Sequence, residues 1–105
     1  MQFDRVRQWS GSAKALTEEI QYQLGLLTIS IEPPALRTVR LWRSKKILSQ
    51  PKGKKFGFRQ ILEGLATALL LKRGWTLSAI GEVLTHLSDC DIERQILAES
   101  ENRDP

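Results

Sequence analysis

The chain has 105 residues, 41% hydrophobic and 27% charged, with a net charge of +4. That size and balance describe one small soluble domain with a modest core, too short to join two separate functional domains. The longest apolar run, Leu65 to Leu71, is broken by Thr67 and stops at Lys72, short of the roughly 18 residues that a membrane span needs. The start, MQFDRVRQW, lacks the apolar centre of a secretory signal, so no membrane partner and a cytoplasmic location are expected. The lone Cys90 cannot close an intrachain disulfide.

Charge divides unevenly along the chain. Residues 1–32 sum to −1, residues 33–85 to +9 and residues 86–105 to −4. Between Pro33 and Leu62 lie nine cationic side chains and no acidic one: Arg37, Arg40, Arg43, Lys45, Lys46, Lys52, Lys54, Lys55 and Arg59. A basic middle between acidic ends points to a polyanionic partner met by one face.

In chain order, residues 1–11 carry Phe3, Val6 and Trp9 without a sustained period and read as a loose arm, closed by a turn at Ser10-Gly11-Ser12. From a Ser12 cap, Ala13, Leu16, Ile20 and Leu24 recur at helical spacing as far as a stop at Gly25. Leu26 to Ile31 then alternates as a short half-buried strand, with the hairpin further on as its natural partner. Glu32-Pro33-Pro34 introduces a second helix, expected over 34–47, because proline suits a first helical turn. Its Ala35, Leu36, Val39 and Trp42 share an arc of about 120°, with Arg37, Arg40 and Arg43 on the arc beside it.

SQPKGKKFGF, residues 49–58, reads as a basic hairpin: Pro51 and Gly53 supply turn geometry, and Phe56 and Phe58 share one side of a strand. A third helix runs from Arg59 to a stop at Lys72-Arg73-Gly74. Thr76 caps a fourth with Leu77, Ile80, Val83, Leu84 and Leu87, in which Gly81 implies close approach of another element. Ser88-Asp89-Cys90-Asp91 starts a short fifth helix whose narrow apolar stripe, Ile92, Ile96 and Leu97, offers a contact for a second copy or another protein. The expected fold is mainly α with a small β wing: four to five helices, a short antiparallel hairpin and room for a third strand. Residues 12–87 form the binding domain, and 88–105 a short helix with a polar tail.

Catalytic chemistry has little to work with. His86 and Cys90 lie four apart, but a structural zinc takes four strong ligands, and the single glycines form no phosphate loop. No catalytic residue, metal or cofactor is expected.

RTVRLWRSKKIL, Arg37 to Leu48, resembles the R-T-[LI]-R-Y-Y-x-x-x-G-L-L segment of the MerR family of bacterial transcription regulators. Phe56-Gly57-Phe58-Arg59 is similar to that family's Y-x-F-R, and Lys72 to Ile80, KRGWTLSAI, to its x-x-G-[FV]-S-L-x-x-I. The resemblance covers about half the chain, from Glu32 to Leu84. It implies a winged helix-turn-helix binding double-stranded DNA, with helix 34–47 in the major groove and wing 49–58 on phosphates. By position, Arg37, Thr38 and Arg40 face the groove, Trp42 replaces the second tyrosine, and Lys54, Lys55 and Arg59 belong to the wing. Arg43, Lys45 and Lys52 complete the expected DNA-binding set from the charge pattern.

The chain departs from the family in four places: Lys46 replaces a glycine, Arg43 an acidic residue, Leu26 to Glu32 are inserted, and only about 20 residues follow the fourth helix. The expected function is a sequence-specific transcriptional regulator. The alternatives are an excisionase-like architectural factor and a protein-interaction adaptor that docks an acidic partner.

Overall fold

The computed structural model describes residues 3, 6–27, 31–49 and 55–101. Five helices and a two-stranded antiparallel sheet follow in the order β1 (Ser10–Gly11), α1 (Ala13–Leu26), α2 (Leu36–Ser44), β2 (Phe56–Gly57), α3 (Phe58–Lys72), α4 (Leu77–Thr85) and α5 (Asp89–Glu101). α3 is the central helix. Every residue from Gln60 to Leu69 is buried, as expected for a helix covered on all sides. α1, α4 and α5 pack against it, and α2 packs on α1.

Local signals place the helices well. Ser12 caps α1 by accepting the Ala15 N–H at 3.3 Å, and Thr76 caps α4 by accepting that of Ala79 at 3.2 Å. α1 runs one residue past Gly25, and Leu27, itself buried, donates back to Gln23 O. Leu16, Ile20 and Leu24 form its buried face. In α4, a Cβ added to Gly81 would stand 3.0 Å from Ile47 Cδ1, so the glycine lets the segment after α2 pack closely. Ser88 and Asp91 cap α5 reciprocally: Ser88 Oγ donates to Asp91 Oδ2 at 2.9 Å and accepts the Asp91 N–H at 3.2 Å.

α2 is shorter than the expected 34–47. Ala35 is its N-cap and makes no side-chain cap bond, and Lys45 is its C-cap. Beyond it the chain turns through Lys46, whose φ of +62° is the one positive value among the described non-glycine residues. Lys46 N–H donates to Arg43 O at 3.0 Å and Ile47 N–H to Trp42 O at 2.8 Å, the paired closure that satisfies the last carbonyls of a helix. The left-handed conformation costs a lysine about 1 kcal/mol relative to glycine.

The strand pairing differs from expectation. β2 pairs with β1, in register Ser10↔Gly57 and Gly11↔Phe56, so the N-terminal arm supplies a strand that the sequence did not mark. Of the expected strand 26–31, Leu26 ends α1, Leu27 is a turn, 28–30 lie outside the described residues and Ile31 has no regular structure. The arm is not loose either. Phe3 is fully buried with its ring 6.3 Å from that of Phe58, and Arg7 forms an ion pair with Glu93 at 3.0 Å. Long-range contacts hold the arm, which is why no local period marks it. Phe58, expected in the hairpin, is the first residue of α3. The turn into α3 is sharpened where Gln60 Oε1 accepts the Gly57 N–H at 2.8 Å.

The expected contact through the last helix is also corrected. α5 extends for 13 residues and lies against α3, with Ile92 fully buried, Ile96 at 1% exposure and Leu97 packed beside them in the chain's own core. A narrow apolar stripe serves a folded-back helix as well as an intersubunit seam, and here the core takes it. Ile92→Ala should therefore cost about 2–5 kcal/mol in denaturant unfolding. The midpoint should not depend on protein concentration; a midpoint that shifts with concentration would return the stripe to an intersubunit role.

Candidate nucleic-acid interface

α2 divides its residues by face. Val39 and Trp42, at 1% and 3% exposure, fasten it to the core, while Arg37, Arg40, Arg43 and the following Lys45 and Lys46 are exposed. Thr38 is half-buried at the edge, and Lys55 is exposed just before β2. Lys52 and Lys54 lie outside the described residues.

The helix stands as a ridge between two depressions. One, of about 570 Å³, is lined by Arg37, Thr38 and Trp42 with Pro33, Pro34 and Leu71. The other, of about 630 Å³, is lined by Arg40, Arg43, Ser44 and Lys46 with Val39 and Phe56. Arg37 and Thr38 thus work on one flank, and Arg40 and Arg43 on the other. The Arg43 guanidinium lies 5.4 Å from the centre of the Phe56 ring, which holds it beside the sheet.

Pairing separates the cations into two groups. Among the described residues, Arg37, Arg40, Arg43, Lys45, Lys46 and Lys55 form no ion pair, whereas Arg7, Arg59 and Arg73 each meet a carboxylate. Unpaired cations clustered on one helix and its C-terminal turn keep their charge available to an anionic partner.

Arg59 belongs to the paired group, contrary to its expected place on the wing. Its Nε donates to Glu63 Oε2 at 3.1 Å, Nη1 to Leu87 O at 2.8 Å and Asp89 Oδ1 at 3.0 Å, and Nη2 to Leu84 O at 2.7 Å. The guanidinium satisfies carbonyls at the end of α4 and holds the start of α5, so four of its five N–H donors are spent within the protein.

Glu63, at 2% exposure, anchors the same network. Its Oε1 accepts the Ser49 N–H at 2.9 Å and the Ser49 hydroxyl at 3.0 Å, and Gln60 Nε2 donates to Ser49 O at 3.2 Å. Ser49 on one side and Phe56-Gly57 on the other are therefore both tied down. Burial raises the Glu63 carboxyl above its ordinary 4.5, against the lowering effect of the Ser49 hydrogen bonds and of Arg59. Hydrogen bonds from Ser88 hold Asp91 below its ordinary 3.8. The paired His86 and Cys90 of the sequence do not share a helix: His86 caps the end of α4, Cys90 sits in the first turn of α5, and both are exposed.

Two kinds of residue escaped the sequence reading. Leu41, 46% exposed, stands among the α2 cations; its position outside the Val39 and Trp42 arc was the available signal. Glu63, Gln60 and Ser49 carried no signal, because a glutamate inside an apolar run and a serine before a turn are ordinary in sequence.

Arg59→Ala should destabilise the fold by about 3–5 kcal/mol by leaving the buried Glu63 charge without its partner, and Arg59→Lys should recover only part of that, since one ammonium cannot span the same acceptors. Thermal and denaturant unfolding measure both. Glu63 also predicts a pH effect. A raised carboxyl contributes stability that is fully present below 4.5 and is lost as pH rises through its folded pKa. Stability of the wild type minus that of Glu63→Gln should therefore fall across that window as pH rises, and a flat difference would refute it.

Comparison of the chain with protein-family models, with curated proteins and with solved structures found no match to any of them.

Proposed function

We propose that the chain is a sequence-specific DNA-binding protein of a MerR-like winged helix-turn-helix type that regulates transcription, with α2 in the major groove and the segment around Lys55 on phosphates. The observation that carries this reading is the set of exposed cations on α2 and its C-terminal turn that form no ion pair among the described residues, on a helix whose adjoining face is locked to the core by Val39 and Trp42. A groove-reading helix needs both properties: a rigid mount, and side chains free to leave water for base edges and phosphates. α1 packed against α2, with a small sheet that begins at Phe56 just after Lys55, is the arrangement such a reader would use.

In this reading Arg37 and Arg40 project from the outer face of α2 as candidates for bidentate contact with guanine, and Leu41 beside them suits a thymine methyl. Lys45 and Lys55 add phosphate contacts that carry affinity without sequence information. Ile92 and Ile96 are taken up by the chain's own core, which favours the excisionase-like variant, a factor bound singly or side by side, over a two-fold dimer joined through α5.

Selection of bound sequences from a random duplex pool, followed by titration across salt, tests the proposal. Arg40→Ala should cost about 1–3 kcal/mol, mainly on the selected site, while Lys45→Ala with Lys55→Ala should weaken all duplexes and flatten the salt dependence. Absence of any duplex binding at low salt would sink the reading. Inverted repeats among the selected sites would favour a symmetric dimer, and single sites or direct repeats an architectural factor.

A further inference from the structure

α2 and α3 end in the same hydrogen-bond motif with different residues at its left-handed position. After α3, Gly74, at φ +92°, donates to Leu71 O at 3.0 Å and Trp75 donates to Leu70 O at 3.1 Å. After α2, Lys46 and Ile47 make the equivalent bonds to Arg43 O and Trp42 O. Glycine adopts this conformation freely, whereas a lysine is held there against its backbone preference.

The surroundings of the two turns differ. A Cβ added to Gly74 would meet nothing within 4 Å, so that turn faces open space. Lys46 lines the cleft that Arg40, Arg43 and Ser44 also line, above Val39 and Phe56. Among the described residues, three cations and a hydroxyl surround that concavity, no carboxylate lines it, and Lys46 forms no ion pair. Backbone strain at a surface position persists where the side chain has a use that glycine cannot supply.

We propose that this cleft is a binding site for a phosphate of the DNA backbone, and that Lys46 is kept in the left-handed turn to place its ammonium there. The inference rests on the DNA-binding reading above and adds a residue and a ligand to it. A phosphodiester carries one negative charge and two free oxygens, which suits the Arg43 fork together with Lys46 acting as a point charge, while Arg40 at the rim of the cleft stays with the base-reading face. Because the turn lies at the C-terminal end of α2, a phosphate bound there would fix how far the helix slides along the groove while leaving the outer face to read bases.

Lys46→Gly separates the two duties of the residue. In the full chain without DNA the variant should melt several degrees higher, because the left-handed position is relieved. In fluorescence anisotropy with a mixed-sequence duplex, it should bind about tenfold more weakly in 0.1 M salt, and its log K against log salt slope should lose about one unit. Lys46→Arg, which keeps a cation, should retain the wild-type slope. A Lys46→Gly protein with wild-type affinity and slope would overturn the site while leaving the DNA-binding reading standing. A wild type that binds no duplex would overturn both. Calorimetric binding of inorganic phosphate that requires Lys46, with duplex binding indifferent to it, would assign the cleft to a free anion and overturn the backbone assignment.

Discussion

Glu63 is a carboxylate almost wholly withdrawn from water on the most buried stretch of α3, and it is tolerated there because each oxygen is answered. Ser49 supplies a backbone and a hydroxyl donor to one oxygen, and Arg59 supplies Nε to the other. Removing a carboxylate from water without such partners costs several kcal/mol, so the elements that provide them must stay where they are. Through Ser49 the network holds the chain leaving α2. Through Arg59 it holds the carbonyls of Leu84 and Leu87 and the carboxylate of Asp89, and so the junction of α4 and α5. One buried charge thus fixes two connections that hydrophobic packing alone would leave free to slide.

That constraint explains why the cationic side chains fall into two groups. Arg59 stands within the same basic run as Arg37, Arg40 and Lys55, yet it lies one helical turn before Glu63 and is drawn inward. The α2 cations have no acidic residue on their own helix, and Glu63 on α3 and Asp89, Glu93 and Glu99 on α5 are engaged by other arginines. Among the described residues those cations form no ion pair, so their charge stays on the surface. The aromatic ring of Phe56 under Arg43 positions a cation without cancelling its charge.

The division of α2 into a fastened face and a charged face is the link between fold and proposed role. Val39 and Trp42 set the rotation of the helix against α1, and that rotation decides which arginines face outward and into which depression they open. The closing turn at Lys46 brings Ile47 and Leu48 back into the core, so the end of α2 is held as firmly as its middle.

The sequence by itself determined the helices, their caps at Ser12 and Thr76, the stop at Gly74, the close approach at Gly81 and the exposed cations of α2. Each of these rests on spacing or on chemistry within a few residues, which a linear reading can follow. Only the tertiary structure decided that Ser10-Gly11 pairs with Phe56-Gly57, that Phe3 and Arg7 hold the arm, that Ile92 and Ile96 turn inward and that Arg59 serves the interior. The physical reason is common to all four. Strand edges, apolar stripes and guanidinium groups are satisfied equally well by several partners, and which partner is met depends on contacts between residues far apart in the chain.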